Sequence, residues 1–420
     1  MQGAAVGSPF DMPADQWEAL ARVHGTPFFL LDADLVRKRV AAVREALNGS
    51  ARVYYAVKAN PNLELLRALR DHVDGLDISS MGELEQAQRA GFDAQHLSFA
   101  GPAKTDTELE AAIGAGVGAI SAESIREIDA CARIAARQSR RANLVLRINP
   151  ALSHRAFGVK MGGKAVQFGI DENAIDSAAQ RVRVQRDHLD FRGIHVYVGS
   201  QCFEAAAVVD ATADALRIAR EVAERVGNPC RKINFGGGFG VSAGDDARAF
   251  DLAALGRSLA PLLQQHAREA SHPCEMVFEL GRFLSAEAGV YVTRVIDVKG
   301  SRGKMFVLCD GGLHHHLTAA GTFGAALRTN FPLRNLSRPD APSIQCQVAG
   351  PSCNPTDLLA IDTTLAQPRE SDLIGVFKSG SYALTASPLL FLGRRTPVEL
   401  VRVEGATVVG RRSHSPADFN

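Results

Sequence analysis

Two textures alternate along the first two-thirds of this 420-residue chain, and that alternation constrains its fold more than any other feature. Short apolar runs rich in β-branched residues read as strands at Val53–Ala59, Gly75–Ser79, His96–Gly101, Gly118–Ala122, Ala142–Asn149, Arg192–Gly199, Lys232–Phe235 and Glu275–Glu279. Between them, apolar residues return every three or four positions, predicting helices over Leu63–Asp71, Gly82–Ala90, Asp106–Ala115, Ser124–Ala136, Glu204–Val226 and Leu252–Glu269. Such alternation fits either a doubly wound open sheet or a closed barrel, since alternation alone does not fix closure. The count of eight strands over roughly 230 residues favours a (β/α)8, TIM-like barrel.

Beyond about Arg282 the pattern changes. Val290–Val298, Lys304–Cys309, Ser343–Val348, Leu373–Lys378, Val398–Val403 and Thr407–Arg412 are short β-type runs separated by turn residues, which predicts a C-terminal antiparallel β domain. Arg328–Pro342, with its three prolines, reads as an irregular loop. The expected division is a barrel over residues 33–283, with residues 1–32 and 284–420 forming a β-barrel-like unit.

Composition narrows the function. With 47 Lys+Arg against 46 Asp+Glu the chain lacks the basic excess of a nucleic-acid binder. No run approaches the ~18 apolar residues of a membrane span. Seven cysteines without a Cys-x-x-Cys pair point to reduced thiols in a cytoplasmic enzyme rather than a disulfide framework or zinc site.

Catalytic groups of such barrels gather at the C-terminal ends of the strands. The polar residues there are Lys58, Asp77, Arg147, Tyr197 with Ser200, Gly236–Gly238, and Glu279 with Arg282. Lys58 ends an apolar run, where desolvation lowers an amine's pKa and suits it to form a Schiff base; the plainer alternative is a snorkelling lysine. Gly236, Gly237 and Gly238 follow the seventh strand, where consecutive glycines let backbone N–H groups cradle a phosphate; a tight turn is the alternative. Glu279 can hold a ring nitrogen protonated and Arg282 can bind an anion, or the two form a rim ion pair. An amine, a phosphate cradle and a carboxylate in one mouth are what pyridoxal 5'-phosphate requires.

Longer motifs make a resemblance specific. YYAVKANPN (Tyr54–Asn62), DISSMGEL (Asp77–Leu84), HVYVGSQ (His195–Gln201), GGGFG (Gly236–Gly240), ELGR (Glu279–Arg282), GPSCNPTD (Gly350–Asp357) and GSYALTAS (Gly380–Ser387) are similar to those of the fold-type III pyridoxal-phosphate decarboxylases, the diaminopimelate and ornithine decarboxylases and their relatives. The resemblance spans nearly the whole chain. It implies an alanine racemase-like fold and decarboxylation of an amino acid through a Lys58 Schiff base and a quinonoid intermediate. By the same resemblance Glu279 partners the ring nitrogen, while Ser200, Gly236–Gly238, Arg282 and Tyr382 contact the phosphate. Asp77 and Arg147 position the lysine and ring, and Cys353 serves the neighbouring subunit's site in an obligate homodimer.

Departures from the family pattern bear on substrate. Tyr197 stands where relatives carry a ring-stacking histidine, with His195 two residues earlier. The residue after Cys353 is Asn354, where decarboxylases of basic amino acids carry an acid for the distal ammonium, and Asp357 is a candidate substitute. The segment GGLHHHLTAAGTFG lacks the Arg-x-x-x-Tyr of diaminopimelate decarboxylases, and looks like the branch from specialised-metabolite and exopolysaccharide clusters, some of whose members act on carrier-protein-bound amino acids. Arg328 is a candidate for recognising such a substrate. Diaminopimelate decarboxylation and racemisation on the same fold are the alternatives; Glu279 argues against the racemase, which places an arginine at the ring nitrogen. His314, His315 and His316 are consecutive, so on a strand they alternate faces and cannot readily share one metal ion.

Overall fold

A computed structural model describes residues 10–244, 248–270, 272–321 and 328–419. Eight parallel strands, Arg52–Ala56, Gly75–Ile78, Leu97–Phe99, Ala119–Ala122, Ala142–Asn149, Leu189–Val196, Lys232–Asn234 and Glu275–Leu280, each pair with the next in chain order. Glu275–Leu280 then pairs with Arg52–Ala56, with Glu279 opposite Tyr54, and the sheet closes into a barrel. These strands are apolar along most of their length because helices cover the outer face and side chains fill the inside.

The connecting helices start where short polar side chains satisfy otherwise orphaned amides. Asp32, Ser80, Ser124 and Asp251 cap helices beginning at Ala33, Met81, Ile125 and Leu252, and Thr105 with Glu108 forms a capping box at Asp106–Ala115. Two covering helices are absent from the sequence reading, Ala33–Leu47 and Ile175–Val184.

The second unit is a mainly antiparallel sheet that draws on both ends of the chain. Phe28–Asp32 lies between Gly289–Ser301, antiparallel, and Val398–Val403, parallel. A second parallel pairing joins Lys304–Cys309 to Ser343–Ala349. The strand Leu358–Ala366 was not anticipated, and Arg328–Pro342 is not wholly irregular: Leu333–Asn335 pairs with Leu373–Phe377. Helix Ala14–His24 docks here through Trp17, which is buried with Phe10, Phe28 and Leu400. No helix among the described residues is long and apolar enough to cross a membrane.

The two units meet at the barrel mouth. The Tyr382 amide donates to the Ala59 carbonyl at 2.8 Å, and Asn60 Nδ2 donates to the Gly380 carbonyl at 3.1 Å. The segment carrying Tyr382 is thereby laid against the turn that carries Lys58.

Candidate active site

A cavity of about 440 Å³ opens at the C-terminal end of the barrel. Its lining brings together Lys58, Asp77, Arg147, Tyr197, Ser200, Gly236, Gly237, Gly238, Glu279, Arg282 and Tyr382, which are widely separated in sequence.

Lys58 lies not on a strand but on a short 3-10 turn, Val57–Ala59, that ends the first barrel strand. Its ammonium forms an ion pair with Asp77 at the end of the second strand. Burial opposes the lysine's charge, yet Asp77, aided by Tyr382 and Glu279, outweighs it and holds the amine above its ordinary range. The expectation of a lowered lysine pKa is therefore reversed in the chain alone, because a buried carboxylate stands beside the amine.

Glu279 ends the eighth strand. Burial, reinforced by Asp77 and opposed by Lys58, pushes its carboxyl up to about 7. Asn234 Nδ2 donates to Glu279 Oε1, and Asn234 Oδ1 accepts from the Gly236 amide at 2.8 Å. One asparagine thus links the ring acid to the glycine loop. Asn234 escaped the sequence reading; its signal was a polar residue in an otherwise buried strand.

The glycine loop approaches its neighbours too closely for a side chain. A Cβ on Gly237 would stand 2.1 Å from the Glu279 carbonyl oxygen. Gly238 has φ +92, and a Cβ there would lie 2.0 Å from the Gly199 carbonyl oxygen. Ser200 stands beside this loop on Gly199–Cys202, which pairs with Phe157–Lys160. Arg282 stacks its guanidinium over the Tyr382 ring at 4.7 Å.

Arg147 belongs to a buried charge network. Its Nη1 donates to Glu123 Oε1 at 2.7 Å, and Glu123 also accepts from the Gly101 and Gly169 amides at 2.7 and 3.1 Å. Behind it, Lys104 pairs with Glu127 at 3.0 Å, while Glu127 accepts from the Glu123 amide at 2.9 Å. Glu123 and Lys104 were not singled out from sequence, although both lie in strand-end segments where a buried charge is informative.

The remaining candidates lie outside this cavity's lining. Cys353 is exposed on the loop preceding Leu358. Asn354 Oδ1 accepts from the Thr356 amide at 3.0 Å, forming a local turn. Asp357 is buried and each of its oxygens already accepts from a backbone amide: Oδ1 from Leu313 at 2.7 Å and Oδ2 from Ser352 at 2.9 Å. Arg328 donates to the Leu358 carbonyl, so its assignment to substrate gains no geometric support within one chain. The end of the GGLHHHLTAAGTFG segment, from residue 322, lies outside the described residues. His314–His316 occupy a turn, not a strand; His315 contacts Tyr291 Oη at 3.2 Å and His316 contacts Ser379 Oγ at 2.8 Å.

The lining suits pyridoxal phosphate. Besides the amine and the glycine cradle, Asp77 Oδ1 and His195 Nε2 are buried polar atoms with no hydrogen-bond partner among the described residues. The model of the pyridoxal-binding domain of pyridoxal-dependent decarboxylases matches residues 33–286. The chain belongs to this decarboxylase family. It is 36% identical to the L-glutamyl-[BtrI acyl-carrier protein] decarboxylase of Niallia circulans, over 97% of this chain and 96% of that one. Diaminopimelate decarboxylase of Zymomonas mobilis is 28% identical over 87% and 85% of the two chains. Among solved structures, Helicobacter pylori diaminopimelate decarboxylase complexed with L-lysine superposes with a TM-score of 0.86 at 26% identity, covering 96% of this chain and 98% of that chain. The decarboxylase is accordingly a pyridoxal-phosphate-dependent carboxy-lyase on the alanine racemase-like fold.

Proposed function

We propose that this decarboxylase acts on an acidic amino acid, glutamate, tethered to a carrier protein as a thioester. The observation that carries this reading is the segment after Cys353. Asn354 is neutral and both Asp357 oxygens are committed to backbone amides, so the segment offers no free carboxylate to a distal ammonium. A buried ammonium without such a partner is costly, which disfavours diaminopimelate, lysine and ornithine. The Niallia circulans relative, named for an acyl-carrier-bound glutamyl substrate, agrees with this choice. Since the α-carboxylate leaves as CO2, the thioester must be formed through the side-chain carboxyl.

When bound, pyridoxal phosphate supplies an electron sink for the pair left at Cα as CO2 departs. In this reading Lys58 would hold the cofactor covalently through its amine. Asp77 keeps the lysine oriented, and Glu279 holds the ring nitrogen's proton. Ser200, Gly236–Gly238, Arg282 and Tyr382 would take the phosphate, Tyr197 would hold the ring, and Arg147 is braced from behind by Glu123. We assign residues 33–283 to the barrel and residues 1–32 with 284–420 to the second unit. Cys353 is exposed and lies outside its own chain's cavity; we assign it to the neighbouring site of a homodimer, where it or Lys58 returns a proton to Cα.

The test is CO2 release from a glutamyl thioester of a phosphopantetheinylated carrier, set against free glutamate, diaminopimelate, lysine and ornithine. Turnover of the thioester above all free amino acids is expected. Turnover of diaminopimelate with none of the thioester would overturn the assignment.

A further inference from the structure

His195 lies on the sixth barrel strand, lines the cofactor cavity and has no role in the scheme above. It is 2% exposed, and its two ring nitrogens face different neighbours. Nδ1 lies 3.1 Å from Ser121 Oγ at the end of the fourth strand. Nε2 lies 3.7 Å from Glu279 Oε2 at the end of the eighth and has no hydrogen-bond partner among the described residues. The other carboxylate oxygen, Oε1, is held by Asn234.

Ser121 is itself fixed. Its carbonyl accepts from Lys104 Nζ at 2.7 Å, and Lys104 is locked by Glu127 at 3.0 Å. Where the Ser121 hydroxyl donates into Nδ1, the ring proton is left on Nε2, facing Glu279. The charged groups that face the imidazole are Glu279, Arg147, Lys58 and Lys104. Burial, then the three cations, keep the ring neutral. A neutral donor can stabilise the Glu279 carboxylate without supplying a cation that would compete with a protonated ring nitrogen for it. The present 3.7 Å separation exceeds a hydrogen bond; ionisation of Glu279 would draw the unpartnered Nε2–H towards Oε2 whether or not the cofactor is bound.

We propose that His195 is a positioning residue for Glu279, donating from Nε2 to Oε2 in the tautomer that Ser121 selects, so that the carboxylate stays ionised and aimed at the cofactor ring. The proposal rests on Glu279 as the ring acid, and it does not depend on which substrate is used.

The test follows the Glu279 carboxyl by infrared difference spectroscopy on cofactor-free protein, its band identified as the one missing from Glu279→Gln. His195→Leu is expected to raise the titration midpoint by about one pH unit, a tenfold rise in proton affinity. His195→Gln, which keeps an N–H donor, should restore the wild-type midpoint to within ~0.3 unit. Ser121→Ala, which leaves the imidazole in place, should shift the midpoint in the same direction as His195→Leu but less, and it decides the matter if the leucine variant fails to fold. An unchanged midpoint in the leucine and alanine variants, or a glutamine variant shifted as far as leucine, would overturn the proposal. In loaded enzyme the His195→Leu loss should fall on kcat with KM little changed. Because the infrared readout needs neither cofactor nor substrate, a wrong substrate assignment leaves it standing.

Discussion

The Arg147 guanidinium, which lines the cofactor cavity, and the Glu123 carboxylate behind it meet at 2.7 Å with both side chains almost wholly buried. Glu123 simultaneously accepts from Gly101 and Gly169, so one carboxylate fixes the loops after the third and fifth strands. Removing it strands a buried guanidinium. Glu123→Ala should therefore lose about 3–5 kcal/mol of folding stability, read from denaturant midpoints, and should bind pyridoxal phosphate more weakly. A change under about 1 kcal/mol would mean that water replaces the pair at little cost.

Gly238 gives a sharper probe of the cradle. Its φ of +92 and the Gly199 carbonyl 2.0 Å from a would-be Cβ leave no room for alanine without moving backbone. Gly238→Ala should raise the cofactor dissociation constant by at least about tenfold, equivalent to ~1.4 kcal/mol, by absorbance titration. Wild-type affinity in that variant would remove the loop from the phosphate site.

The raised Glu279 carboxyl makes a signed prediction about pH. The unfolded chain releases this proton near the ordinary 4.5, whereas the folded protein holds it to about 7. The folded state binds more protons across that window, so this group's contribution to stability falls as pH rises through it. Cofactor-free Glu279→Gln should lose less stability than wild type between about pH 5 and pH 7.5, by urea midpoints at each pH. Parallel losses in the two proteins would contradict the assigned direction.

Periodicity made most of the barrel legible because its strands are buried along most of their length and six of its covering helices show an apolar stripe in the sequence. Asp106–Ala115 and Leu252–Glu269 were read to the residue. Phe28–Asp32 was missed because Phe28–Leu31 is a four-residue apolar run without alternation, although Gly25 and Pro27 just before it are turn signals, and its partners lie some 260 and 370 residues downstream. The same limit governs the site. Residues whose chemistry is their own, Lys58 and Glu279, stood out. The role of Asp357 was not legible because it depends on which amides the fold delivers to the carboxylate: Ser352 is local, but Leu313 is brought in by tertiary structure. The lysine pKa reversed for the same reason, since Asp77 reaches Lys58 only once the two adjacent strands are paired.

Shared active sites can be tested by complementation. Lys58→Ala and Cys353→Ala should each be strongly impaired alone. Co-refolded in equal amounts, half the dimers are mixed and each mixed dimer retains one intact site, so about a quarter of wild-type activity should return. No recovery, with mixed dimers demonstrated, would place Cys353 outside the partner's site.

The most direct test of the central claim is the visible absorbance of purified protein reconstituted with pyridoxal phosphate, wild type against Lys58→Ala, before and after borohydride reduction. The wild type should show the lysine-linked cofactor band, and reduction should fix the label on the peptide containing Lys58. The alanine variant should show neither. An unchanged band in Lys58→Ala, or a label on another lysine, would contradict the account.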